Sequence, residues 1–178
     1  MKFEANIGGI EGLCIFEPDV HDDSRGYFME SYNKEMFDYF VNEDITFVQD
    51  NESFSTCGVL RGLHFQKQHP QGKLVRVIEG EVFEVAVDIR IGSPTFGKWY
   101  GVCLSGVNKK QFWIPEGFAH GFLVISDTAR FAYKCTDFYY PDDQCGILYN
   151  DPAIGIEWPR IACPNSRDAT WPKLNEIG

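Results

Sequence analysis

The sequence lacks any apolar run that approaches the roughly 20 residues needed to cross a membrane as a helix. It also lacks an excess of basic residues, since 16 Lys and Arg stand against 26 Asp and Glu, a formal net charge of −10. Broad binding to nucleic acid or to an anionic membrane requires a basic surface, so we expect neither partner. A small anionic ligand stays possible, because a few converging Arg and Lys side chains create a local positive field.

Close cysteine pairs are missing as well. No CxxC spacing occurs, and both structural zinc sites and dithiol redox sites require such pairs. The N-terminal segment has no apolar signal-peptide core, so we expect a cytoplasmic protein. Thiols stay reduced in that compartment, and we therefore predict free, buried thiols, although an even count also permits disulfides. The six cysteines are Cys14, Cys57, Cys103, Cys135, Cys145 and Cys163.

Common catalytic motifs are absent too. No GxGxxG follows a predicted strand, and the GxSxG of a serine nucleophile does not occur. Gly72 and Lys73 lack the remaining residues of a phosphate-binding loop. The sequence therefore favours neither a nucleotide-binding α/β fold nor a serine hydrolase.

What the sequence does contain is the composition of one globular domain, which we place at residues 1–178. Hydrophobic residues make up 44% and aromatic residues 15% of the chain. Short alternating segments separated by Gly, Pro, Ser and Asp turns indicate an all-β fold, a jelly-roll β-barrel or sandwich with its ligand in the mouth. The clearest predicted strands cover 72–80, 81–90, 98–105, 110–115, 120–126 and 129–138.

Two local features give more specific predictions. Glu79-Gly80-Glu81 predicts a tight hairpin between the first two of these strands. Residues 33–41, NKEMFDYFV, predict a short helix that Asn33 caps and that packs against a sheet. Its apolar face would consist of Met36, Phe37, Phe40 and Val41.

The residues that could carry chemistry suit proton transfer. The imidazole of His64 can take a proton from a carbon that a neighbouring carbonyl makes acidic. The enolate oxygen that develops needs a cation, for which Lys73 and Arg61 are candidates. The phenol of Tyr133 is competent to return a proton on the opposite face of the carbon. Purely structural roles for these side chains stay open at this level.

Metal catalysis is the main competing interpretation. Small β-barrels often hold a metal through histidines at i and i+2 of one strand, but Gln66 occupies the second position after His64. His69 does not replace it, because residues i and i+5 of a regular strand point to opposite faces. A third alternative is a sugar-binding barrel without catalysis, which would bind its ligand without exchanging protons.

Eight segments of the chain, VLRGLHFQ and FWIPEGFAHGF among them, resemble the dTDP-4-dehydrorhamnose 3,5-epimerase family. The resemblance runs from about residue 7 to 172 with the segments in the same order. It implies a cupin-like jelly-roll with a few short helices, usually a homodimer, that uses no metal and no cofactor. The segments cover 22–31, 47–55, 59–66, 71–90, 93–105, 112–122, 133–141 and 150–159.

The resemblance also implies a reaction. Members of the family invert C3 and C5 of dTDP-4-dehydro-6-deoxy-D-glucose, both next to the C4 ketone, and produce dTDP-4-dehydro-L-rhamnose for rhamnose biosynthesis. A relative that inverts only C3 or only C5 would use the same reactive groups, and it stays an alternative. The nucleotide-sugar substrate is anionic, which agrees with a local basic pocket in an acidic chain.

Residue roles follow from the same resemblance. It assigns the general base to His64, the general acid to Tyr133, the carboxylate partner of the histidine to Asp168, and a place at the ketone to Lys73. The chain departs from many members at Phe138, Gln144 and Arg167, where Tyr, Glu and Lys are common. The implied substrate-binding residues are Arg25, Glu30, Gln49, Asn51, Arg61, His120, Phe138, Gln144 and Arg167.

Overall fold

The computed structural model describes residues 1–177, and most of its regular structure is β-strand. Within that range one α-helix, α1 (Lys34–Val41), and short 3-10 helices at Ile7–Gly9, Pro141–Asp143, Asp168–Thr170 and Leu174–Glu176 accompany the strands. None of these helices is long and apolar enough to cross a membrane. The strands are β1 (Lys2–Ala5), β2 (Cys14–Glu17), β3 (Val20–Asp23), β4 (Gly26–Met29), β5 (Gln49–Thr56), β6 (Val59–Gln66), β7 (Lys73–Glu79), β8 (Glu81–Asp88), β9 (Trp99–Ser105), β10 (Gln111–Ile114), β11 (Phe118–Val124), β12 (Thr128–Cys135), β13 (Gln144–Gly146) and β14 (Cys163–Pro164).

Two sheets pack face to face and enclose the main apolar core. Val75 and Phe131 of the first sheet belong to the same buried cluster as Val82 and Phe122 of the second. Alternate side chains of each strand point inward, so the alternation in the sequence becomes the core, and the predicted all-β fold is confirmed. The strand order is β1-β2-β10-β7-β12-β5 in the first sheet and β13-β6-β11-β8-β9 in the second, with β14 beside β6 and β3–β4 as a separate hairpin.

The predicted hairpin at Glu79-Gly80-Glu81 is wrong. Strand β7 pairs with β10 and β12 in the first sheet, whereas β8 pairs with β9 and β11 in the second. Gly80 adopts a positive φ of 78°, and a Cβ there would collide with the carbonyl oxygen of Thr128. The glycine thus lets the chain cross from one sheet to the other close to the backbone of β12.

Helix α1 forms where the sequence predicts it. The side-chain oxygen of Asn33 accepts a hydrogen bond of 3.2 Å from the backbone N–H of Met36, as an N-cap does. Phe37 is buried, and its ring lies 5.2 Å from that of Trp113 on β10. The predicted apolar face is wrong for Met36, which lies at the edge of that face and is 39% exposed.

All six cysteines fall within residues 1–177 and carry free thiols. Cys14 and Cys135 are buried, as predicted. Cys57, Cys103 and Cys163 are exposed, so the prediction that the thiols are buried is wrong for them. Two of the exposed thiols belong to short surface segments, Cys57 to a turn and Cys163 to the two-residue strand β14.

Candidate active site

A cavity of about 300 Å³ opens between the two sheets. Its polar lining comes from inward-facing positions of β5, β6, β7, β11 and β12, together with the C-terminal segment that carries Asp168. Side chains that are far apart in the sequence therefore meet across one space. The predicted residues that line it are Gln49, Asn51, Arg61, His64, Lys73, His120, Tyr133, Gln144 and Asp168.

His64 and Asp168 form a hydrogen-bonded pair at this cavity. The Nε2 atom of His64 lies 2.6 Å from Oδ1 of Asp168, whose side chain is almost fully buried. The carboxylate also accepts hydrogen bonds from the Trp171 indole and from the backbone N–H of Gly62. Burial opposes the charge, but these donors and His64 hold the pKa of Asp168 below its usual range. An ionised Asp168 accepts Nε2–H and leaves Nδ1 as the basic nitrogen of His64.

A second histidine–carboxyl pair lies beside the first. His120 on β11 is the register partner of His64 on β6, and its Nδ1 atom lies 2.7 Å from Oε1 of Glu84 on β8. The prediction from sequence did not single out Glu84. Its only signal was a carboxylate between the apolar residues Val82 and Ala86 on one face of the strand predicted over 81–90.

Lys73 is buried at the start of β7 and lines the cavity. The alternative of a solvated strand end is therefore wrong for this residue. Burial lowers the pKa of the Lys73 ammonium to about 8, because the charged form loses its hydration. The lysine thus places a positive charge inside the cavity at neutral pH.

Tyr133 lines the cavity from β12, with its strand neighbours Phe131 and Cys135 buried on the same face. Its register partners are Val75 of β7 and Asn51 of β5. Burial raises the pKa of the phenol to about 12. The hydroxyl therefore keeps its proton at neutral pH and is a hydrogen-bond donor.

Amide and guanidinium groups form another part of the lining. Gln49 and Asn51 lie two residues apart on β5, and their side-chain amides are hydrogen-bonded at 2.9 Å. The Nε atom of Arg61 donates to the hydroxyl of Ser55 at 3.0 Å. This bond joins Arg61 of the second sheet to Ser55 on β5 of the first sheet, and both Arg61 and β5 line the cavity.

The predicted residues Phe138, Gln144 and Arg167 lie around the cavity rim. The side-chain oxygen of Gln144 accepts hydrogen bonds from the Tyr139 hydroxyl at 2.8 Å and from the Arg167 guanidinium at 3.1 Å. Phe138 is 54% exposed, and its carbonyl accepts from the buried amide of Gln66. Phe138 and Arg167 do not themselves line the cavity, and their roles stay predictions.

Arg25 and Glu30 are not brought to the cavity by their own chain. Arg25 lies in the turn between β3 and β4, is 87% exposed, and pairs with Asp23. Glu30 directly follows β4. Their implied contact with substrate stays a prediction.

Metal-binding donors do not cluster in the described chain. Among residues 1–177 no group of three His, Cys, Asp or Glu side chains is arranged to hold a metal ion. His64 and His120 each have one ring nitrogen engaged by a carboxyl group. The cavity instead gathers two histidine–carboxyl pairs, a buried ammonium and a phenol. Such groups transfer protons and stabilise the negative charge that develops on an oxygen.

Comparison with known proteins shows the family to which the chain is similar. A family described as dTDP-4-dehydrorhamnose 3,5-epimerase matches residues 8–176. A protein of that name from Salmonella typhimurium is 55% identical over 170 residues, which are 94% of this chain and 93% of the relative. A solved structure of the dTDP-6-deoxy-D-glucose-3,5-epimerase of Legionella pneumophila, in complex with dTDP-4-keto-L-rhamnose, is 51% identical, with a TM-score of 0.95 and coverage of 99% of this chain and 95% of that chain.

A more distant solved structure is that of a 3'-monoepimerase from Streptomyces bikiniensis in complex with dTDP-quinovose. It is 34% identical and has a TM-score of 0.87, with coverage of 93% of this chain and 85% of that chain. The likeness extends to enzymes that differ in how many carbons they invert. The fold alone therefore does not determine how many carbons an enzyme of this class inverts.

Fold and comparisons together define an epimerase with a cupin-like jelly-roll, an enzyme of the isomerase class. Within that class, the chain belongs to the dTDP-4-dehydrorhamnose 3,5-epimerase family. Both the family and the fold predicted from the sequence are confirmed.

Proposed function

We propose that this chain converts dTDP-4-dehydro-6-deoxy-D-glucose to dTDP-4-dehydro-L-rhamnose by inverting C3 and C5, as a step in dTDP-L-rhamnose biosynthesis. The observation that carries the proposal is that the His64–Asp168 pair, Lys73 and Tyr133 line one cavity. The Legionella relative holds a 4-keto sugar nucleotide in its solved structure, which supports the same substrate class here.

The proposed mechanism uses the acidity of the carbons beside the ketone. His64 takes the proton from C3 or C5 at Nδ1, and Asp168 stabilises the imidazolium that forms. The electron pair of the broken C–H bond moves to the C4 oxygen, where the Lys73 ammonium stabilises the enolate. Tyr133 then donates its proton to the opposite face of the carbon. No electrons leave the substrate, so the mechanism requires no redox cofactor, and the Lys73 ammonium supplies the positive charge at the enolate oxygen.

The diphosphate of the substrate suits the basic groups near the cavity. Arg61 lines it, and Arg167 lies at the rim beside Gln144. A guanidinium binds phosphate oxygens through two parallel hydrogen bonds, which gives orientation as well as affinity. Arg61 and Arg167 are therefore our two candidates for binding the diphosphate, despite the net charge of −10 on the chain.

We also propose that the active form is a homodimer in which the β3–β4 hairpin completes the partner's cavity. Arg25 and Glu30 lie away from the cavity of their own chain, yet the family resemblance assigns both to the substrate. The same hairpin exposes Tyr27 and Phe28, the latter at 72%, and large exposed aromatic side chains are typical of interfaces.

Mixing two inactive variants tests the exchange of hairpins. We expect Arg25→Ala and His64→Ala proteins, mixed in equal amounts after subunit exchange, to recover about a quarter of the wild-type sites, because half of the statistical dimers carry one intact site. Steady-state turnover measures the recovered activity, and mass photometry measures whether the protein is a dimer. A dimer that recovers no activity would place Arg25 in the site of its own chain, and a monomer would contradict the dimer itself.

Proton exchange with solvent tests the epimerase function directly. In D2O the purified protein should introduce deuterium at both C3 and C5 of the 4-keto substrate, and NMR of the product should show the L-configuration. Label at one carbon would identify a 3-only or 5-only epimerase, and the Streptomyces relative is named for the first of these activities. An unlabelled substrate with folded protein would overturn the proposal.

The buried ammonium of Lys73 predicts the alkaline side of the pH profile. Its pKa of about 8 means that the charge is present below that pH and is lost above it. We expect kcat/KM to fall by about tenfold per pH unit above this value, since the enolate oxygen loses its cation. Lys73→Arg is the matched control, because a guanidinium stays charged and should remove this decline even if the overall rate is lower. An unchanged decline in Lys73→Arg would assign it to another group.

A further inference from the structure

Glu84 stands apart from every other carboxyl group at the cavity. Its side chain is fully buried on β8, and Oε1 lies 2.7 Å from Nδ1 of His120. The other oxygen, Oε2, is buried and has no hydrogen-bond partner among residues 1–177. One partner for a fully buried carboxyl group is a poor environment for a negative charge.

Asp168 provides the comparison within the same cavity. Three donors, His64, Trp171 and the backbone N–H of Gly62, surround that carboxylate and keep it ionised. Glu84 has no such set of donors in the described chain. The two carboxyl groups each bind one histidine, Asp168 at Nε2 and Glu84 at Nδ1, and they differ in what stabilises their charge.

The charged groups near Glu84 and His120 do not supply the stabilisation that a Glu84 carboxylate lacks. Burial raises the pKa of Glu84 well above its usual value, and the positive charge of Lys73 opposes the shift only in part. No salt bridge within 4.0 Å joins Lys73 to Glu84 in residues 1–177. Burial, Lys73 and His64 lower the pKa of His120, so its ring stays neutral. Tyr133, the remaining titratable neighbour of Glu84, keeps its own proton.

We propose that Glu84 is a positioning residue that works as a neutral carboxylic acid: its O–H donates to Nδ1 of His120 and fixes the ring proton on Nε2. Nε2 is the ring nitrogen that remains for the cavity, and there it donates to the C4 oxygen of the substrate. The inference rests on the proposed function, because it names the ketone oxygen as the acceptor.

The consequence is that both histidines carry their ring proton on Nε2 but turn opposite nitrogens to the cavity, because the carboxyl groups that hold them are in opposite protonation states and bind opposite ring nitrogens. Asp168 accepts a hydrogen bond from Nε2–H and leaves Nδ1 of His64 as a base, whereas Glu84 donates a hydrogen bond to Nδ1 and leaves Nε2–H of His120 as a donor. Proton abstraction and enolate stabilisation are thereby assigned to different rings of one strand pair. A carboxylic acid kept neutral by an apolar site is a known way to supply a hydrogen bond to an enolate.

The tautomer of His120 is measurable without substrate, so this test is independent of the proposed function. In the 15N-labelled enzyme, with His120 assigned by its Gln variant, we expect a protonated Nε2 and an unprotonated Nδ1 between about pH 6 and pH 8. A protonated Nδ1 with a bare Nε2 would show that Glu84 is an anion, and the inference would fall.

Isosteric amides give a second test with a matched control. An amide N–H replaces the donor in Glu84→Gln, so kcat should stay within about tenfold of the wild type, whereas Asp168→Asn should lose roughly 100-fold. Glu84→Leu, which offers no donor, should also lose roughly 100-fold in kcat with little change in KM. Thermal unfolding confirms that each variant is folded. An equal loss in Glu84→Gln and Asp168→Asn, or full activity in Glu84→Leu, would overturn the inference.

Discussion

Replacing His64 by alanine is expected to lower kcat by roughly 10,000-fold, the upper end of what a general base contributes. The variant removes the only group that the proposed mechanism uses to break a C–H bond. It also leaves the buried carboxylate of Asp168 with one hydrogen-bond donor fewer, which destabilises the fold. The free energy of unfolding of the variant should therefore be measured alongside turnover. Deuterium uptake at C3 and C5 should disappear together with product formation.

His69→Ala is the matched control for this variant. His69 also pairs with a carboxylate, Asp143, at 3.3 Å, but it lies outside the cavity lining and stacks on Tyr140. Its removal should change turnover by only a few-fold, since the backbone N–H of His69 still binds Asp143. Wild-type deuterium uptake in His64→Ala would refute the assignment of the base.

The substitution Tyr133→Phe is expected to separate proton exchange from inversion. Inversion should fall by roughly 1,000-fold because the acid is missing, while His64 continues to remove and return protons on its own face. The phenyl ring keeps its contact with Phe131, whose centroid lies 5.8 Å away, so the packing of β12 is retained. NMR of the recovered substrate in D2O distinguishes label with retained configuration from label with inversion.

Tyr139→Phe controls for the loss of a hydroxyl near the substrate. This tyrosine donates to Gln144 at the cavity rim, and we expect less than about a tenfold effect on inversion. If exchange and inversion decline in parallel in Tyr133→Phe, the phenol positions the substrate rather than donating the second proton.

Local patterns in the sequence predict single strands well but not their partners. The alternation of 72–80 correctly places Lys73, Val75 and Val77 on one face, because that depends only on neighbouring residues. The pairing of a strand depends on where the chain goes next, and a glycine link serves a hairpin or a crossing equally well. This is why the crossing at Gly80 was predicted as a hairpin.

The same limit applies to predicting the candidate site: single residues can be recognised from the sequence, but their partners cannot. His64, Lys73 and Tyr133 are recognisable from their chemistry, whereas the pairing of His64 with Asp168, 104 positions away, came from the family resemblance. Glu84 was not singled out because a carboxylate between two apolar residues on one face of a strand has no local signature. Its role depends on a side chain of β11 that only the sheet brings to it.

The crossing at Gly80 has a consequence for the order in which the cavity assembles. One continuous segment, residues 73–88, supplies Lys73 to one wall of the cavity and Glu84 to the other. Because the loop between them is short, its closure costs little conformational entropy. The dyad of base and carboxylate closes a far longer loop and depends on the last part of the chain. A nascent chain can thus bring Lys73 and Glu84 together before its last residues complete the pair of His64 and Asp168.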